Sequence, residues 1–368
     1  MPVNDKILYT DYNTLRDAIA TLLGTGSGNS GYGQTVQSTQ VSGANGTGAI
    51  GGPGSGASVI SITEYTKLRS DIINVYRHIY GVDPTPANPI LGQLIRYVTA
   101  AGAVASEFNI SEYNVAEYNA ASVSASDDPY TQYSVFVSDL QSNRFTCATS
   151  QSVTEAKGTA FRGTAWGGGL ASISTRIRVA WSSANAARYF FNSGGEIRLT
   201  ASRSGGSVTA QNTAWTNLLN GAGTRTISAQ LPQTSLTGTA GQNWFTLSNV
   251  YQGWYSITDS GPYANNNFSL QARTLDGLTA NNNSGSSAGL DIIALFTDNY
   301  RDPDDTAPSG PGQRTAPDDS VDGSLQVVVT CKRAFGILQP EPSTGNFTIE
   351  TPTVTIVGGS TANANSID

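Results

Sequence analysis

Two short motifs could carry chemistry, and the first is Gly-x-Ser-x-Gly at Gly285–Gly289, with Ser287 at its centre. In hydrolases such a serine lies on a turn between a strand and a helix, and a histidine activates it. Here a strand-like segment follows the motif, and the only histidine, His78, lies in a region with a helical pattern. The sequence therefore predicts a β-turn at Ser287.

The second motif is Gly-x-Gly-x-x-Gly, which occurs at Gly26–Gly31 and at Gly46–Gly51. A dinucleotide site needs a strand before this motif and a helix after it, so that the pyrophosphate meets the helix N-terminus. The first copy follows a helical segment, and both lie in residues 24–58, where 12 of 35 residues are Gly. The segment is therefore interpreted as a low-complexity linker or an extended loop, and no cofactor is predicted.

The histidine, cysteine and charge counts exclude further classes. One histidine and two cysteines, Cys147 and Cys331, cannot build a zinc site or a disulfide scaffold, and both cysteines are predicted to lie in strands. His78 is interpreted as a residue at the C-terminal end of a helix. The net charge of −7 argues against nucleic acid as a partner. No secretory signal is expected, because the N-terminal segment lacks a cationic part followed by an apolar run. No membrane insertion is expected, because no apolar stretch approaches about 18 residues.

Two acidic segments, at 127–129 and 302–322, place aspartates next to prolines. Calcium takes roughly six to eight oxygen ligands, and loops of this kind can provide them. The aspartates have no regular ligand spacing, which favours solvated surface loops. No metal site is therefore assigned, and calcium binding stays an open alternative.

Four aromatic residues could form a stacking platform for sugars: Trp244, Tyr251, Trp254 and Tyr255. Aromatic residues at strand spacing are also typical of a buried core. All five Trp residues fall between positions 166 and 254, which places the main aromatic core in the same region. Both interpretations stay open at this point.

The N-terminal region contains two similar helical segments, at 10–23 and 63–80. Residues 7–19 align with residues 60–72 at an offset of 53, and each copy has a capping Thr and a stripe of Leu and Ile. Two short helices and a Gly-rich segment bury little apolar area on their own. We therefore expect other copies of the chain to cover the stripe, in a homotrimer anchored through residues 1–100. The predicted interface residues are Leu15, Ile19, Leu22, Leu68 and Ile72.

From about residue 130 the pattern changes to short strands. In residues 173–181, Ile173, Ile177, Val179 and Trp181 alternate with polar residues, which predicts a strand with one buried face and with Arg176 and Arg178 outward or paired. Residues 189–200 are predicted to form a β-hairpin, and residues 212–220 a helix. The other predicted strands are 133–138, 143–149, 225–231, 244–249, 253–258, 267–274, 290–297, 324–333 and 347–357.

These elements predict a mainly β fold: an antiparallel, jelly-roll-like β-sandwich body with a small helical, Gly-rich N-terminal anchor region. The anchor region spans residues 1–101 and includes a helix at about 90–101. A linker at 102–130 leads to the sandwich at 131–358, and a flexible tail follows at 359–368.

Several stretches together resemble virion structural proteins of contractile-tailed bacteriophages, particularly those of marine cyanobacteria. The first group comprises residues 31–38 (GYGQTVQS), 62–72 (ITEYTKLRSDI) and 78–81 (HIYG). The second and more specific group comprises residues 187–199 (ARYFFNSGGEIRL), 212–215 (NTAW) and 221–224 (GAGT). The chain departs from the family pattern at Ile79, where Gln is usual.

The resemblance implies a virion component of the tail, baseplate, neck or fibre, and it supplies no catalytic residue. The charged fraction of 13% and the abundance of Gly also favour a non-enzymatic structural role. The expected partners are further copies of the chain and other virion proteins, in a particle assembled in the host cytoplasm. The alternative function is a receptor- or glycan-binding module at the exposed end of such an appendage, with a host surface glycan as its ligand.

Overall fold

The computed structural model describes residues 9–41, 62–82, 129–167, 172–230, 241–261, 263–275, 284–299, 320–335 and 349–358. The chain forms two compact units. The helical unit comprises Met1–Val153, Asn192–Gly194 and Ala334–Ile349. The β unit comprises Thr154–Phe191, Gly195–Arg333 and Glu350–Asp368.

Three described helices pack on one another in the helical unit: α1 (Tyr9–Leu23), α2 (Ile62–Tyr80) and α3 (Pro129–Ser142). The first two confirm the helices predicted at 10–23 and 63–80. Each helix turns one apolar stripe inward, and Ile19, Val75 and Leu140 are fully buried. The helical unit therefore has a core of its own.

The five residues predicted to form an oligomer interface lie in this core. Leu15 is the most exposed of them, at only 8%, because the three helices cover one another's apolar faces. The prediction that other copies must cover this stripe is therefore wrong. The error arose because the contribution of α3 to the core was not foreseen. The five residues are Leu15, Ile19, Leu22, Leu68 and Ile72.

Helix α3 takes the place of the strand predicted at 133–138, and turns and a 3₁₀ turn take the place of the strand predicted at 143–149. Phe136, Val137 and Leu140 are buried, and their spacing matches one face of a helix. Phe and Val favour strands, but packing against α1 and α2 decides the local structure. The helix predicted at 90–101, most of the linker and the tail at 359–368 lie outside the described residues.

The first part of the Gly-rich segment, residues 24–41, is an extended loop that folds back on the helices. The amide of Tyr32 donates to the carbonyl of Leu22 at 3.0 Å, and the amide of Gln34 donates to the carbonyl of Leu23 at 2.9 Å. The ring of Tyr32 is fully buried, and its hydroxyl donates to the carbonyl of Arg144 at 2.6 Å. The loop interpretation is confirmed here, and residues 42–58 lie outside the described part of the chain.

The described strands of the β unit form two five-stranded sheets and one short pair. All the pairings with a described register are antiparallel except that of β5 with β6. The first sheet has the order β1 (Ser152–Arg162), β11 (Ser324–Ala334), β4 (Glu196–Ser204), β5 (Thr224–Ser228) and β6 (Gly241–Asn243). The second has the order β12 (Thr353–Gly358), β3 (Ser172–Ala180), β9 (Gly289–Thr297), β8 (Asn267–Thr274) and β7 (Gln252–Thr258). The short pair joins β2 (Trp166–Gly167) to β10 (Ser320–Val321). A mainly β fold with antiparallel sheets is thus confirmed.

Strand β3 confirms the predicted alternation. Ile177 and Val179 are fully buried, whereas Arg176 and Arg178 lie on the opposite face, paired with a carboxylate. The predicted strands at 225–231, 253–258, 267–274, 290–297 and 324–333 correspond to β5, β7, β8, β9 and β11. The prediction at 347–357 corresponds only to the shorter strand β12.

The hairpin predicted at 189–200 is wrong, because its first arm is the helix α4 (Ala184–Asn192) and only its second arm is a strand, β4. Ala187, Phe190 and Phe191 are fully buried at helical spacing, so packing outweighs the strand propensity of the aromatic residues. Phe191 stacks on Trp244, with ring centroids 4.5 Å apart. The predicted strand at 244–249 is also wrong, since Trp244–Thr246 is a 3₁₀ turn.

The helix predicted at 212–220 is confirmed as α5 (Ala210–Ala222). The hydroxyl of Thr209 caps it by accepting from the amide of Asn212 at 3.1 Å. Trp215 of this helix is almost fully buried and packs edge-on against Trp166, with ring centroids 4.8 Å apart. Four of the five Trp side chains are therefore core residues of the β unit: Trp166, Trp181, Trp215 and Trp244.

Candidate functional site

Three arginines converge on one buried carboxylate in the second sheet. Asp291 is fully buried, and Arg176 donates to its Oδ2 through Nη2. Arg178 donates through Nε to Oδ1 at 3.1 Å, and Arg273 donates through Nη2 to Oδ2 at 3.1 Å. We call Arg176, Arg178, Arg273 and Asp291 the arginine cluster.

The strand register brings these residues together. Arg178 on β3 and Arg273 on β8 both lie directly opposite Asp291 on the central strand β9. Arg176 lies two residues before Arg178 and therefore points to the same face. Because the neighbours of these arginines along each strand are buried, the cluster occupies the outward face of the sheet.

The cluster carries a surplus of positive charge. Burial disfavours the ionised form of Asp291, but the hydrogen bonds from the arginines outweigh that cost and lower the pKa of its carboxyl. The hydrogen bond to Asp291 raises the pKa of Arg176. Three guanidinium groups and one carboxylate give a local charge of +2, while the whole chain carries −7. The arginine side chains are 28%, 45% and 34% exposed, so this charge reaches solvent.

The four residues of the predicted sugar platform do not lie together. Trp244 is fully buried in the core, which contradicts its assignment to a platform. Tyr255 pairs with buried Leu270, and the guanidinium of Arg225 lies 3.8 Å from its ring centroid. Trp254 lies at a β-bulge between Gly253 and Tyr255. The predicted platform of four residues is therefore wrong.

Tyr251 is the one member of the predicted platform that adjoins the arginine cluster. The Cζ atom of Arg273 lies 4.5 Å from the centroid of its ring, a cation–π contact. Tyr251 also helps to raise the pKa of Arg176. The side chain is half-buried, so an aromatic ring accompanies the surplus charge at this surface.

A second buried carboxylate, Asp71 of α2, accepts its hydrogen bonds from neutral groups, and the charge of Arg16 acts on it only through space. It is fully buried and accepts hydrogen bonds from the amide of Ser38 at 2.8 Å, the hydroxyl of Ser38 at 2.6 Å and the amide of Gln37 at 3.1 Å. Burial raises the pKa of Asp71, although these hydrogen bonds act in the opposite direction. Asp71 thus fixes the loop 24–41 to α2.

The serine and glycine motifs lack the geometry of catalytic sites. Ser287 is fully buried; its hydroxyl donates to the carbonyl of Gly289 at 2.6 Å, and strand β9 follows where a nucleophile elbow would have a helix. The turn lies at residues 284–285, so the prediction of a β-turn centred on Ser287 is wrong in its position. Gly26–Gly31 lies in the loop after α1, without the strand that a dinucleotide site needs. Gly46–Gly51 lies outside the described residues.

The histidine and the cysteines are buried. The ring of His78 lies 4.9 Å from that of Tyr32, near the end of α2. Cys331 lies in β11 and is fully buried, and burial raises the pKa of its thiol to about 12. Cys147 lies in a loop before a 3₁₀ turn, so its assignment to a strand was wrong.

The described residues provide no metal centre. In the ranges given above, no group of three or more His, Cys, Asp or Glu side chains could hold a metal ion. The acidic segments 127–129 and 302–322 fall mostly outside those ranges. Asp322 is described, and its carboxylate accepts from Arg203 at 3.2 Å and from the amide of Ser207 at 3.0 Å. No helix in the described part of the chain is long and apolar enough to cross a membrane.

The sequence signal for the arginine cluster was incomplete. The spacing of Arg176 and Arg178 predicted two arginines on one face, outward or paired. Arg273 and Asp291 lie in separate strands, and only the pairing of β8 with β9 brings them together. No family model matches the chain, and no curated protein or solved structure matches it either. The function is therefore argued from the residues and their contacts.

Proposed function

We propose that this chain is a non-enzymatic structural component of a bacteriophage virion, in a tail, baseplate or neck appendage or a fibre, which assembles through protein–protein contacts. One observation carries the proposal: separate stretches of the family resemblance contact one another. Asp71, in the stretch 62–72, accepts from Ser38 at the end of the stretch 31–38. Asn192, in the stretch 187–199, donates to the carbonyl of Gly31 at 3.0 Å.

These contacts support the proposal because they give the resemblance a physical basis. Tyr32, in the stretch 31–38, and His78, in the further stretch 78–81, have ring centroids 4.9 Å apart. Residues that merely shared a low-complexity composition would have no reason to meet in buried hydrogen bonds. The resembling segments therefore fit a folded module.

The body of this component is proposed to be a β-sandwich with a jelly-roll-like arrangement. Each sheet has a row of fully buried side chains on one face, such as Ile177 and Ile292 in the second sheet and Val327 and Val329 in the first. Two apolar faces of this kind are typical of sheets that pack on each other. The parallel pairing of β5 with β6 departs from the all-antiparallel arrangement of such a sandwich.

Assembly into a homotrimer, with other virion proteins as neighbours, is part of the proposal. It rests on the symmetry with which repeated surfaces on particles are built. Since the stripe that includes Leu15 and Ile72 is buried within the chain, the contacts between copies must use other surfaces.

The proposal is tested on purified particles. Phage particles are isolated by density gradient, and the chain is quantified by mass spectrometry and located with gold-labelled antibody on intact particles. A fixed copy number per particle, a multiple of three, and label at one position on the tail or neck are expected. A chain that stays in the soluble fraction and is missing from infectious particles would refute the virion role.

The alternative function, a receptor- or glycan-binding module at an exposed tip, is favoured by one specific observation. The arginine cluster and Tyr251 place positive charge and an aromatic ring together on an outward sheet face. In this case the isolated protein binds host cells and competes with phage adsorption. A protein that neither binds cells nor slows adsorption would exclude this alternative.

A further inference from the structure

The arginine cluster has hydrogen-bonding capacity to spare. Each guanidinium offers five N–H donors, and Asp291 receives one bond from each arginine. Asp291 itself is fully buried beneath them and therefore presents no negative charge to solvent. The nitrogens of Arg178 that do not bond Asp291 belong to a side chain that is 45% exposed. This surface can accept an external oxyanion.

A strip of hydroxyl and amide side chains lies on the same face, beyond the row in which Arg176 pairs with Ile293 and Ile293 with Gln271. Residues that lie opposite one another on adjacent strands form a row across the sheet. The strand register places the residues of this strip in two such rows, which span β3, β9, β8 and β7. Together with the rows of Arg178 and Arg176, they extend about 20 Å along the strands, at ~3.3 Å per residue. The two rows have eight positions, and Leu295 is the one apolar side chain among them. The other seven are Ser172, Ser174, Ser256, Thr258, Asn267, Ser269 and Thr297.

The composition of this strip favours a carbohydrate. The cores of protein–protein interfaces are apolar and rich in aromatic residues, whereas seven of the eight positions here carry hydroxyl or amide groups. Several of these groups already bond one another, such as Ser172 to Thr297 at 3.3 Å and Asn267 to Ser256 at 2.7 Å. A sugar chain offers many hydroxyls that can join such a network.

We propose that the outward face of the second sheet binds an acidic polysaccharide, with a sugar carboxylate on the arginine cluster and the sugar chain along the hydroxyl strip. The proposal deepens the alternative function given above and rests on it. The exposed nitrogens of Arg178 and Arg273 hold the carboxylate by charge-assisted hydrogen bonds. Tyr251, fixed by the guanidinium of Arg273, contributes an aromatic surface beside the anion.

The test is calorimetry with the full-length protein and three probes: tetragalacturonic acid, the neutral galactose tetramer and a hexa-aspartate peptide. The acidic sugar is expected to bind, and the neutral sugar to bind at least about tenfold more weakly, the factor that one charge-assisted hydrogen bond represents. No binding of the acidic sugar would overturn the proposal. Binding of the peptide with equal or higher affinity would also overturn it, because the site would then be one for acidic protein segments.

Variants locate the site. Arg178→Gln leaves Asp291 paired with Arg176 and Arg273, so the fold is expected to persist while the affinity falls about tenfold. Arg198→Gln is the matched control, because Arg198 is a strand arginine with 33% exposure in the other sheet. An equal loss of affinity in both variants would show that the protein attracts the acidic sugar by its net charge alone. That result would overturn the proposed site. Cell binding is measured separately, so a protein that binds host cells but not the acidic sugar would refute this site and leave the alternative function standing.

Discussion

Asp71 in the helical unit and Asp291 in the β unit are both fully buried, and the two carboxylates are stabilised in opposite ways. Asp71 in the helical unit accepts its hydrogen bonds from backbone amides and a serine hydroxyl, which are neutral, and Arg16 acts on it only through space. Asp291 in the β unit is surrounded by three guanidinium groups. Burial raises the pKa of Asp71, whereas at Asp291 the hydrogen bonds from the arginines outweigh burial and lower the pKa.

The difference in hydrogen-bond donors indicates a different structural role for each carboxylate. The neutral donors of Asp71 belong to the loop 24–41, which has no strand partners, so the carboxylate satisfies backbone groups that secondary structure would otherwise satisfy. The backbone groups around Asp291 are hydrogen-bonded within the sheet, and its carboxylate instead accepts hydrogen bonds from arginine side chains. The first arrangement fixes a loop, and the second leaves surplus charge at a surface.

The largest effect is expected from Ile177→Asp. Residue 177 lies one position before Arg178 but faces the core, where a carboxylate would have no arginine partner. The β unit should not fold, which near-ultraviolet circular dichroism would show because all five Trp residues lie in this unit. Arg178→Ser, the matched change on the outward face, should remain folded; equal tolerance of both would mean that the two faces of β3 are assigned wrongly.

The next effect is that of Asp291→Ala, which leaves three arginines without their shared partner. Removal of one member of a buried ion pair typically costs about 3–5 kcal/mol, and the free energy of unfolding should fall by that order in urea titrations followed by Trp fluorescence. Asp17→Ala is the control, because that carboxylate is 49% exposed beside Arg16. A cost below about 1 kcal/mol, as for exposed pairs, would show that the cluster does not support the sheet.

A smaller and more local effect is expected from Asp71→Asn. The amide keeps one acceptor oxygen, but its NH2 group takes the place of the other and faces an N–H donor of Gln37 or Ser38, so about 1–3 kcal/mol should be lost from the contacts with the loop. Hydrogen exchange followed by mass spectrometry should show faster exchange in residues 32–41 and no change in the β unit. Asp17→Asn, which removes a bond to the exposed side chain of Gln40, should leave that segment unchanged. Unaltered exchange at Gln37 and Ser38 in Asp71→Asn would contradict the role of this carboxylate.

The smallest effect is a difference in pH dependence. The pKa of Asp291 is lower in the folded than in the unfolded state, so its stabilisation is present above about pH 4 and is lost as the pH falls through the folded value. The pKa of Asp71 is raised, so its contribution is complete below the unfolded value and is lost as the pH rises through the folded value. A carbon-13 NMR titration of the carboxyl groups should resolve the two; titration of both on the same side of an ordinary aspartate would contradict the comparison.

Local patterns predicted much of the fold. The helices α1 and α2 followed from a stripe of Leu and Ile, although Thr10 and Thr63, which were expected to cap them, lie one residue inside the helices. Strand β3 followed from strict alternation. The failures at α3 and α4 occurred where Phe and Val, which favour strands, are placed by packing on a helical face. The burial of Leu15 and Ile72 within one chain could not be predicted once α3 had been assigned to the β body.

The candidate site was harder to predict than the fold. Arg176 and Arg178 were visible as a pair on one face, but Asp291 looks like an interruption in an apolar strand. Its role follows only from the pairing of β9 with β3 and β8. Tyr251 and Tyr255 were grouped because they are close in sequence, yet Tyr251 contacts Arg273 and Tyr255 contacts Arg225.

Arginine-selective labelling with phenylglyoxal can show whether the surplus charge around Asp291 forms a binding site, whereas arginines with a single carboxylate partner do not. Tetragalacturonic acid should slow the modification of Arg178 and Arg273 and leave Arg198 of the β unit and Arg16 of the helical unit unchanged, as read by mass spectrometry. Equal slowing at all four arginines, or no slowing at Arg178 and Arg273, would contradict the account.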